Sequence, residues 1–376
     1  MMTKRIKLLL VAGARPNFMK IAPVIREIQK RSDHFVHVLV HTGQHYDEGM
    51  SDVFFRDLGI PAPEHHLSVG SGSHAQQTAA IMTKFESVLA QEDPAYVLVF
   101  GDVNSTLACS VVAKKMGYPV AHVEAGLRSG DRSMPEEINR IVTDSISDLF
   151  FVTEESGLEH LVHEGHDMST VFHVGHVMID NLFFELQRLD AAETKPSNDI
   201  LPFDLPARFG VVTLHRPSNV DDEATLRGIL SALGEIARSL PLFFPVHPRT
   251  QACLSRFGID MPSAVTTTAP LGYREFLNVW RNAALILTDS GGLQEESTAL
   301  GVPCLTLRNN TERPVTISEG TNILVGTDPE LIVREARRVI DAPPGETTLK
   351  RPRLWDGNAS GRILDIFEKN LASVAA

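Results

Sequence analysis

Several features are scarce in this sequence, and each scarcity excludes something. There are three cysteines in 376 residues, Cys109, Cys253 and Cys304. They lie far apart, lack metal-ligand spacing and sit among apolar neighbours, which argues against a disulfide framework and predicts reduced, buried thiols. No apolar run is long enough to span a bilayer, so no membrane partner is expected. The opening MMTKRIKLLLVAGARP sets basic residues before an apolar stretch, as a signal peptide would. That stretch is only about seven residues long and runs into Gly13, Arg15 and Pro16 rather than a small-residue cleavage site. It reads as a first buried strand, and the expected compartment is the cytoplasm. Basic charge is also short, with 35 Lys and Arg against 47 Asp and Glu and a net charge of −12. A nucleic-acid partner needs a concentrated basic face, so none is expected. A nucleotide remains compatible, because a few arginines and helix N-termini can hold a diphosphate. Histidine pairs at ligand-like spacing occur (His41 and His45, His163 and His166, His173 and His176). None has the companion carboxylate and second histidine of a catalytic zinc helix, so no metal site is expected.

What is present is alternation. Apolar strand-like runs alternate with helical patterns, predicting an α/β fold with parallel sheets covered on both faces. In the first half the strands read Lys7–Val11, Phe35–Val40, Tyr96–Phe100, Val120–Val123, Leu149–Val152 and Val171–Val174. In the second they read Gly210–Leu214, Leu242–Val246, Ala264–Thr267, Leu285–Leu287, Cys304–Leu307 and Ile323–Val325. The segment 188–208, with three prolines and mixed polar residues, reads as a linker. The expected organisation is an N-terminal Rossmann-like domain over 1–190 and a C-terminal one over 207–358. A last helix, in 359–376, is expected to pack back on the first domain. Ligands of such sheets bind at the C-terminal strand ends, here at a cleft shared by the two doubly wound domains.

Chemistry-bearing residues fall at those strand ends. In LTDSGGLQEESTALGVP, Ser290, Gly291 and Gly292 lead into a helix read as beginning near Leu293. Small residues there let backbone N–H groups approach phosphate oxygens. Glu295 and Glu296 read as first-turn carboxylates, unsuited to phosphate, and one of them suits the hydroxyls of a ribose. The bland alternative makes Ser290 an N-cap and the glutamates dipole partners. Arg15, after the first strand, and Arg313 are further anion-binding candidates. Asp102, Glu124, the pair Glu136 and Glu137, and His215 are the groups able to move protons. Taken singly, Asp102 is equally a cap for the helix near Asn104, Glu136 and Glu137 are dipole partners, and His215 is a satisfied strand-end histidine. Glu124 is harder to dismiss, since a carboxylate after four apolar residues is costly to bury unpaired.

The stretches GARPNFMKIAPVI, HTGQHYD, GDVNSTLA, HVEAGLRSGDRSMPEEINR, VGHVMIDNL, TLHRPSN and TDSGGLQEES run in order along the chain, with TERP after the last. In these stretches the chain resembles the non-hydrolysing UDP-N-acetylglucosamine 2-epimerases over nearly its full length. The resemblance implies a glycosyltransferase-B-like architecture, a homodimer, and interconversion of UDP-N-acetylglucosamine and UDP-N-acetylmannosamine without a cofactor. It implies elimination of UDP to a 2-acetamidoglucal and its addition back to the other face. It further implies Asp102, Glu124 and Glu136 as acid/base groups and His215 as an aid at the diphosphate. Arg15, Ser290, Gly291, Gly292, Glu296 and Arg313 would hold UDP, with Glu296 on the ribose. The chain departs from many bacterial members at His215–Arg216–Pro217–Ser218 (His-Arg-Arg-Glu there), at Val315 (Glu there) and around Val69–Gly70, where a basic residue is missing. Those departures predict weakened or absent activation by a second substrate molecule, or a different sugar preference. The alternatives are another UDP-acetamido sugar on the same chemistry, or a glycosyltransferase of the same architecture.

Overall fold

The computed structural model describes residues 5–43, 55–56, 58–191, 205–343 and 351–374. Gln44 and His45 of HTGQH, and 192–204 of the expected linker, lie outside the described residues.

The chain divides into two compact units, Met1–Asn181 with Arg353–Ala376, and Leu182–Pro352. The first holds strands β1 (Ile6–Ala12), β2 (Phe35–His41), β3 (His65–His66), β4 (Tyr96–Phe100), β5 (Val120–Val123), β6 (Leu149–Val152) and β7 (Val171–His173). Their order is β3-β2-β1-β4-β5-β6-β7, and every pairing is parallel. The second unit holds β8 (Gly210–Thr213), β9 (Leu242–Pro245), β10 (Val265–Thr268), β11 (Leu285–Thr288), β12 (Cys304–Thr306) and β13 (Asn322–Leu324). Their order is β10-β9-β8-β11-β12-β13, again all parallel. Each unit is thus a doubly wound, Rossmann-like sheet whose order reverses at its first strand, where loops part and a ligand can approach. The central strands are continuous apolar runs because both of their faces are covered. Leu8, Leu9, Leu10, Val97, Leu98 and Val99 are fully buried.

The sequence reading misses β3, whose two residues are too few to show a period. Elsewhere β4, β5 and β6 have the expected limits, and no other strand end differs by more than one residue. Helix α1 (Arg15–Lys30) follows β1; α2 (His74–Glu92), α3 (Asn104–Lys115), α4 (Pro135–Ile146) and α5 (Glu155–His163) complete most of the first unit. Part of the expected linker is helical, for α6 runs Val177–Ala191 and the unit boundary falls inside it. Its first turn is tied to the first unit, where Asp180 accepts hydrogen bonds from Ala359 and Ser360 N–H at 3.0 and 2.7 Å. Its later turns belong to the second, through Glu185–Arg274 and Asp190–Arg281 at 2.8 and 2.7 Å.

Candidate active site

In the first unit the acid/base candidates gather at the C-terminal ends of β4 and β5, which are neighbours in the sheet. Glu124, the residue after β5, is 2% exposed and adopts φ 70°, in the left-handed region. A non-glycine residue pays about 1–2 kcal/mol for that conformation. Its carboxylate forms an ion pair with Lys20 of α1. Gly101, before Asp102, lies beside both: a Cβ built there would stand 3.0 Å from Lys20 Nζ and 3.8 Å from Glu124 Oε2. The turn carrying Glu124 also packs closely on the start of α5. Gly126 has φ 78°, and a Cβ there would come within 2.3 Å of the Gly157 carbonyl oxygen.

Asp102 does not cap the following helix. Val103 holds the N-cap position of α3, and Asp102 pairs with the Arg140 guanidinium of α4. Asn139 donates to the Asp102 carbonyl at 2.8 Å. The motif PEEINR is therefore built backwards onto Asp102, with Asn139 and Arg140 holding it. Glu137 is 2% exposed and accepts from Ser129 and Gly130 N–H at 2.9 and 3.0 Å and from Arg140 at 3.1 Å. Its pKa lies below the usual value because these donors outweigh the desolvation that opposes them. Glu137 thus shapes the loop, while Glu136, four residues before Arg140 on one face of α4, is half-buried and carries no such duty. Beneath the site, His122 contacts Asp144 Oδ1 at 2.6 Å and the Gly101 carbonyl at 2.8 Å, with both residues fully buried. Asp144 also pairs with Arg128 at 2.8 Å and accepts from Gly126 N–H at 3.0 Å. Arg15 opens α1, and its side chain lies outside the described residues.

In the second unit the candidates gather after β8 and β11, again neighbours in their sheet. Helix α11 is Gly291–Leu300, following α7 (Pro217–Val220), α8 (Glu223–Ile236), α9 (Pro248–Phe257) and α10 (Tyr273–Trp280). It begins two residues earlier than expected. Glu295 and Glu296 consequently lie in its second turn, not its first, and both are buried. Ser290 occupies the N-cap position but its side chain makes no capping hydrogen bond, which removes the purely capping reading. A Cβ at Gly292 would meet nothing within 4 Å, and neither Gly291 nor Gly292 has positive φ. Neither backbone shape nor crowding by protein calls for these glycines, and the open space beside Gly292 leaves its backbone N–H accessible.

His215 stands two residues beyond β8. Its Nδ1 contacts Asp289 Oδ1 at 3.0 Å, and fully buried Asp289 also accepts from His215 and Arg216 N–H at 3.0 and 2.9 Å. Arg313 pairs with Glu295, so its charge is shared with a carboxylate. Its loop is tied to α11 through Thr311, whose hydroxyl donates to Gln294 Oε1 at 2.9 Å. Glu296 accepts from the Tyr273 hydroxyl at 2.6 Å.

Lys20, Arg140, Asp144, Tyr273 and Asp289 are the residues that reading the sequence missed. Lys20, Arg140 and Asp289 lie inside quoted motifs, which were their signal, whereas Asp144 lies four residues past PEEINR and Tyr273 lies outside every motif. Their roles depend on partners 16 to 104 positions away, which no local spacing reveals. Cys109, Cys253 and Cys304 are buried free thiols. Among the described residues no group of three or more His, Cys, Asp or Glu is placed to hold a metal ion, and no helix is long and apolar enough to cross a membrane.

The family model described as UDP-N-acetylglucosamine 2-epimerase matches residues 26–368. A UDP-N-acetylglucosamine 2-epimerase of Methanocaldococcus jannaschii is 40% identical over 377 residues, covering 96% of this chain and 98% of that one. The UDP-2,3-diacetamido-2,3-dideoxy-D-glucuronate 2-epimerase of Pseudomonas aeruginosa is 39% identical over 367 residues, covering 96% and 99%. The crystal structure of the M. jannaschii UDP-GlcNAc 2-epimerase in complex with UDP-GlcNAc and UDP matches with a TM-score of 0.82 at 38% identity, covering 97% of this chain and 100% of that one. With its two parallel sheets, its strand-end carboxylates and a glycine-led helix after β11, the chain has the glycosyltransferase-B-like α/β fold of these isomerases and belongs to the UDP-N-acetylglucosamine 2-epimerase family.

Proposed function

We propose that this enzyme interconverts UDP-N-acetylglucosamine and UDP-N-acetylmannosamine through a 2-acetamidoglucal. The observation that carries the proposal is the carboxylate pair, Asp102 and Glu124, at adjacent strand ends, each held by a cation. The proton on C2 is weakly acidic, and no carbonyl is placed to hold the charge left by its removal. Its loss must therefore accompany departure of the diphosphate. One carboxylate takes the proton, the C2–H electrons form the C1–C2 double bond, and the C1–O bond breaks with its electrons on UDP. In reverse, a second acid returns a proton to the opposite face of C2 as the diphosphate oxygen rejoins C1. Asp102, Glu124 and Glu136 are the acid/base groups in this scheme, since inversion requires proton handling on both faces. The hydroxyl of Ser290, the backbone N–H groups of Ser290, Gly291 and Gly292, the α11 dipole, His215, Arg15 and Arg313 stabilise the departing diphosphate, and Glu296 accepts from the ribose. The scheme calls for no cofactor, and a homodimer in the cytoplasm is its expected setting.

Incubation of UDP-N-acetylglucosamine with the enzyme in D₂O tests this directly by proton NMR. The manno epimer should appear with deuterium at C2 and without added cofactor. Turnover without C2 exchange would overturn the proton-transfer scheme. The similarity to the P. aeruginosa diacetamido-glucuronate epimerase favours a second reading, the same chemistry on a UDP-diacetamido uronate. A panel of UDP-sugars separates the two by kcat/KM.

A further inference from the structure

Glu296 moves no proton of the sugar in the elimination scheme, and it is buried in the second turn of α11, 4% exposed. The Tyr273 hydroxyl, from the first residue of α10, donates to its Oε1 at 2.6 Å. Burial raises its pKa to about 7; the Tyr273 hydrogen bond opposes the rise and neighbouring Glu295 adds to it. Glu295 itself is paired with Arg313, which leads into α12 (Val315–Ser318). Helix α10 contributes Tyr273 itself, Arg216 stands near Gly291, and Arg351 donates to the Ala299 carbonyl at 2.8 Å; of β11, β12, β13 and α12, also packed on α11, β12 alone carries a titratable side chain. That group is Cys304, pushed up to about 12 by burial and so uncharged.

A ribose offers two hydroxyl donors. An ionised carboxylate accepts on both oxygens, with two lone pairs on each, whereas a protonated one must turn a donor towards a neighbour. We propose that Tyr273 is a positioning residue for nucleotide recognition: its hydroxyl fixes Oε1 of Glu296, leaving Oε2 and the second Oε1 lone pair to the ribose, and Glu296 releases its proton to solvent as the nucleotide is taken up. This inference rests on the reading of Glu296 as the ribose acceptor. It adds a residue that orients the acceptor and a proton that leaves on binding.

The test is calorimetric titration with UDP-N-acetylglucosamine at its epimer equilibrium, from pH 6 to pH 9, in buffers of different ionisation enthalpy. This ligand's diphosphate is esterified at both ends and does not titrate near neutrality. Wild-type binding should be about tenfold weaker at pH 6 than at pH 8, with proton release on binding at pH 6. Tyr273→Phe should move the midpoint to higher pH, lowering affinity several-fold near pH 7 and converging on wild type at pH 9. Glu296→Gln should bind more weakly at pH 8 and lose the pH dependence. Wild-type affinity in Glu296→Gln would overturn the ribose reading, and this inference with it. A flat profile in Glu296→Gln, together with a wild-type midpoint or a pH-independent loss in Tyr273→Phe, would leave the ribose reading standing and overturn the role of Tyr273.

Discussion

At the scale of single residues, Glu124 combines three costs: burial, a left-handed backbone and an ion pair drawn out of water. Packing alone does not call for such strain, and strained positions cluster where chemistry needs a fixed group. Glu124→Gln keeps the shape and removes the proton transfer. It should lower kcat by at least about a hundredfold while UDP affinity stays within a few-fold of wild type. Steady-state rates beside calorimetric UDP binding read this, and wild-type turnover would strip Glu124 of its role. Glu296 carries a different cost. Its pKa is raised from 4.5 to about 7 by burial, so the folded protein binds this proton more tightly than the unfolded chain does. The stability it contributes is therefore fully present below pH 4.5 and lost as pH rises through about 7. Without nucleotide, Glu296→Gln should gain on wild type over that window by up to on the order of 3 kcal/mol. Chemical denaturation at pH 5 and pH 8 measures the gain, and a difference independent of pH would contradict it.

At the scale of elements, α11 shows how a two-residue shift changes an argument. A start near Leu293 would have put Glu295 and Glu296 in the first turn, against a phosphate. The observed start at Gly291 leaves Ser290, Gly291 and Gly292 at the positive end of the dipole and moves both carboxylates one turn away. The motif was legible, but the helix limit was not, since helix ends fray in pattern as they do in structure. Because the Ser290 side chain makes no capping bond, Ser290→Ala should leave thermal stability nearly unchanged. It should weaken UDP binding by about 1 kcal/mol, the usual worth of one hydrogen bond. A lower melting temperature with unchanged UDP affinity would return Ser290 to a capping role.

At the scale of the whole molecule, the chain crosses to its second unit and comes back. Helix α13 (Pro329–Asp341) closes the second unit, and α14 (Ala359–Val374) returns to the first. There Ile363, Leu364 and Phe367 join the core around Phe18 and Phe151. The motif VGHVMIDN, which the reaction does not use, is the seat of this return. Gly175 has φ 87°, and a Cβ there would stand 2.1 Å from the Leu354 carbonyl oxygen. Trp355 is fully buried, lies edge-on to His176 at 5.1 Å and donates to the Thr153 carbonyl at 3.0 Å, while Asp180 caps α14. Trp355→Ala should destabilise the first unit by about 3–5 kcal/mol, the cost of emptying a large aromatic site. Melting followed by a probe in that unit reads the loss, and an unchanged transition would show that the strap is not held there.

The sequence by itself determined the strand-and-helix alternation, the two parallel sheets and the strand ends where chemistry collects. These follow from short-range periodicity and from glycine-rich turns, whose physics is local. Tertiary structure alone decided which cation holds which carboxylate, which of Glu136 and Glu137 shapes a loop, and where the units divide. Lys20 finds Glu124, and Asp180 finds Ser360, only because the sheet sets their strands and helices side by side. Burial then fixes those pairings, since a charge or carboxyl withdrawn from water must meet a partner that the fold has already placed.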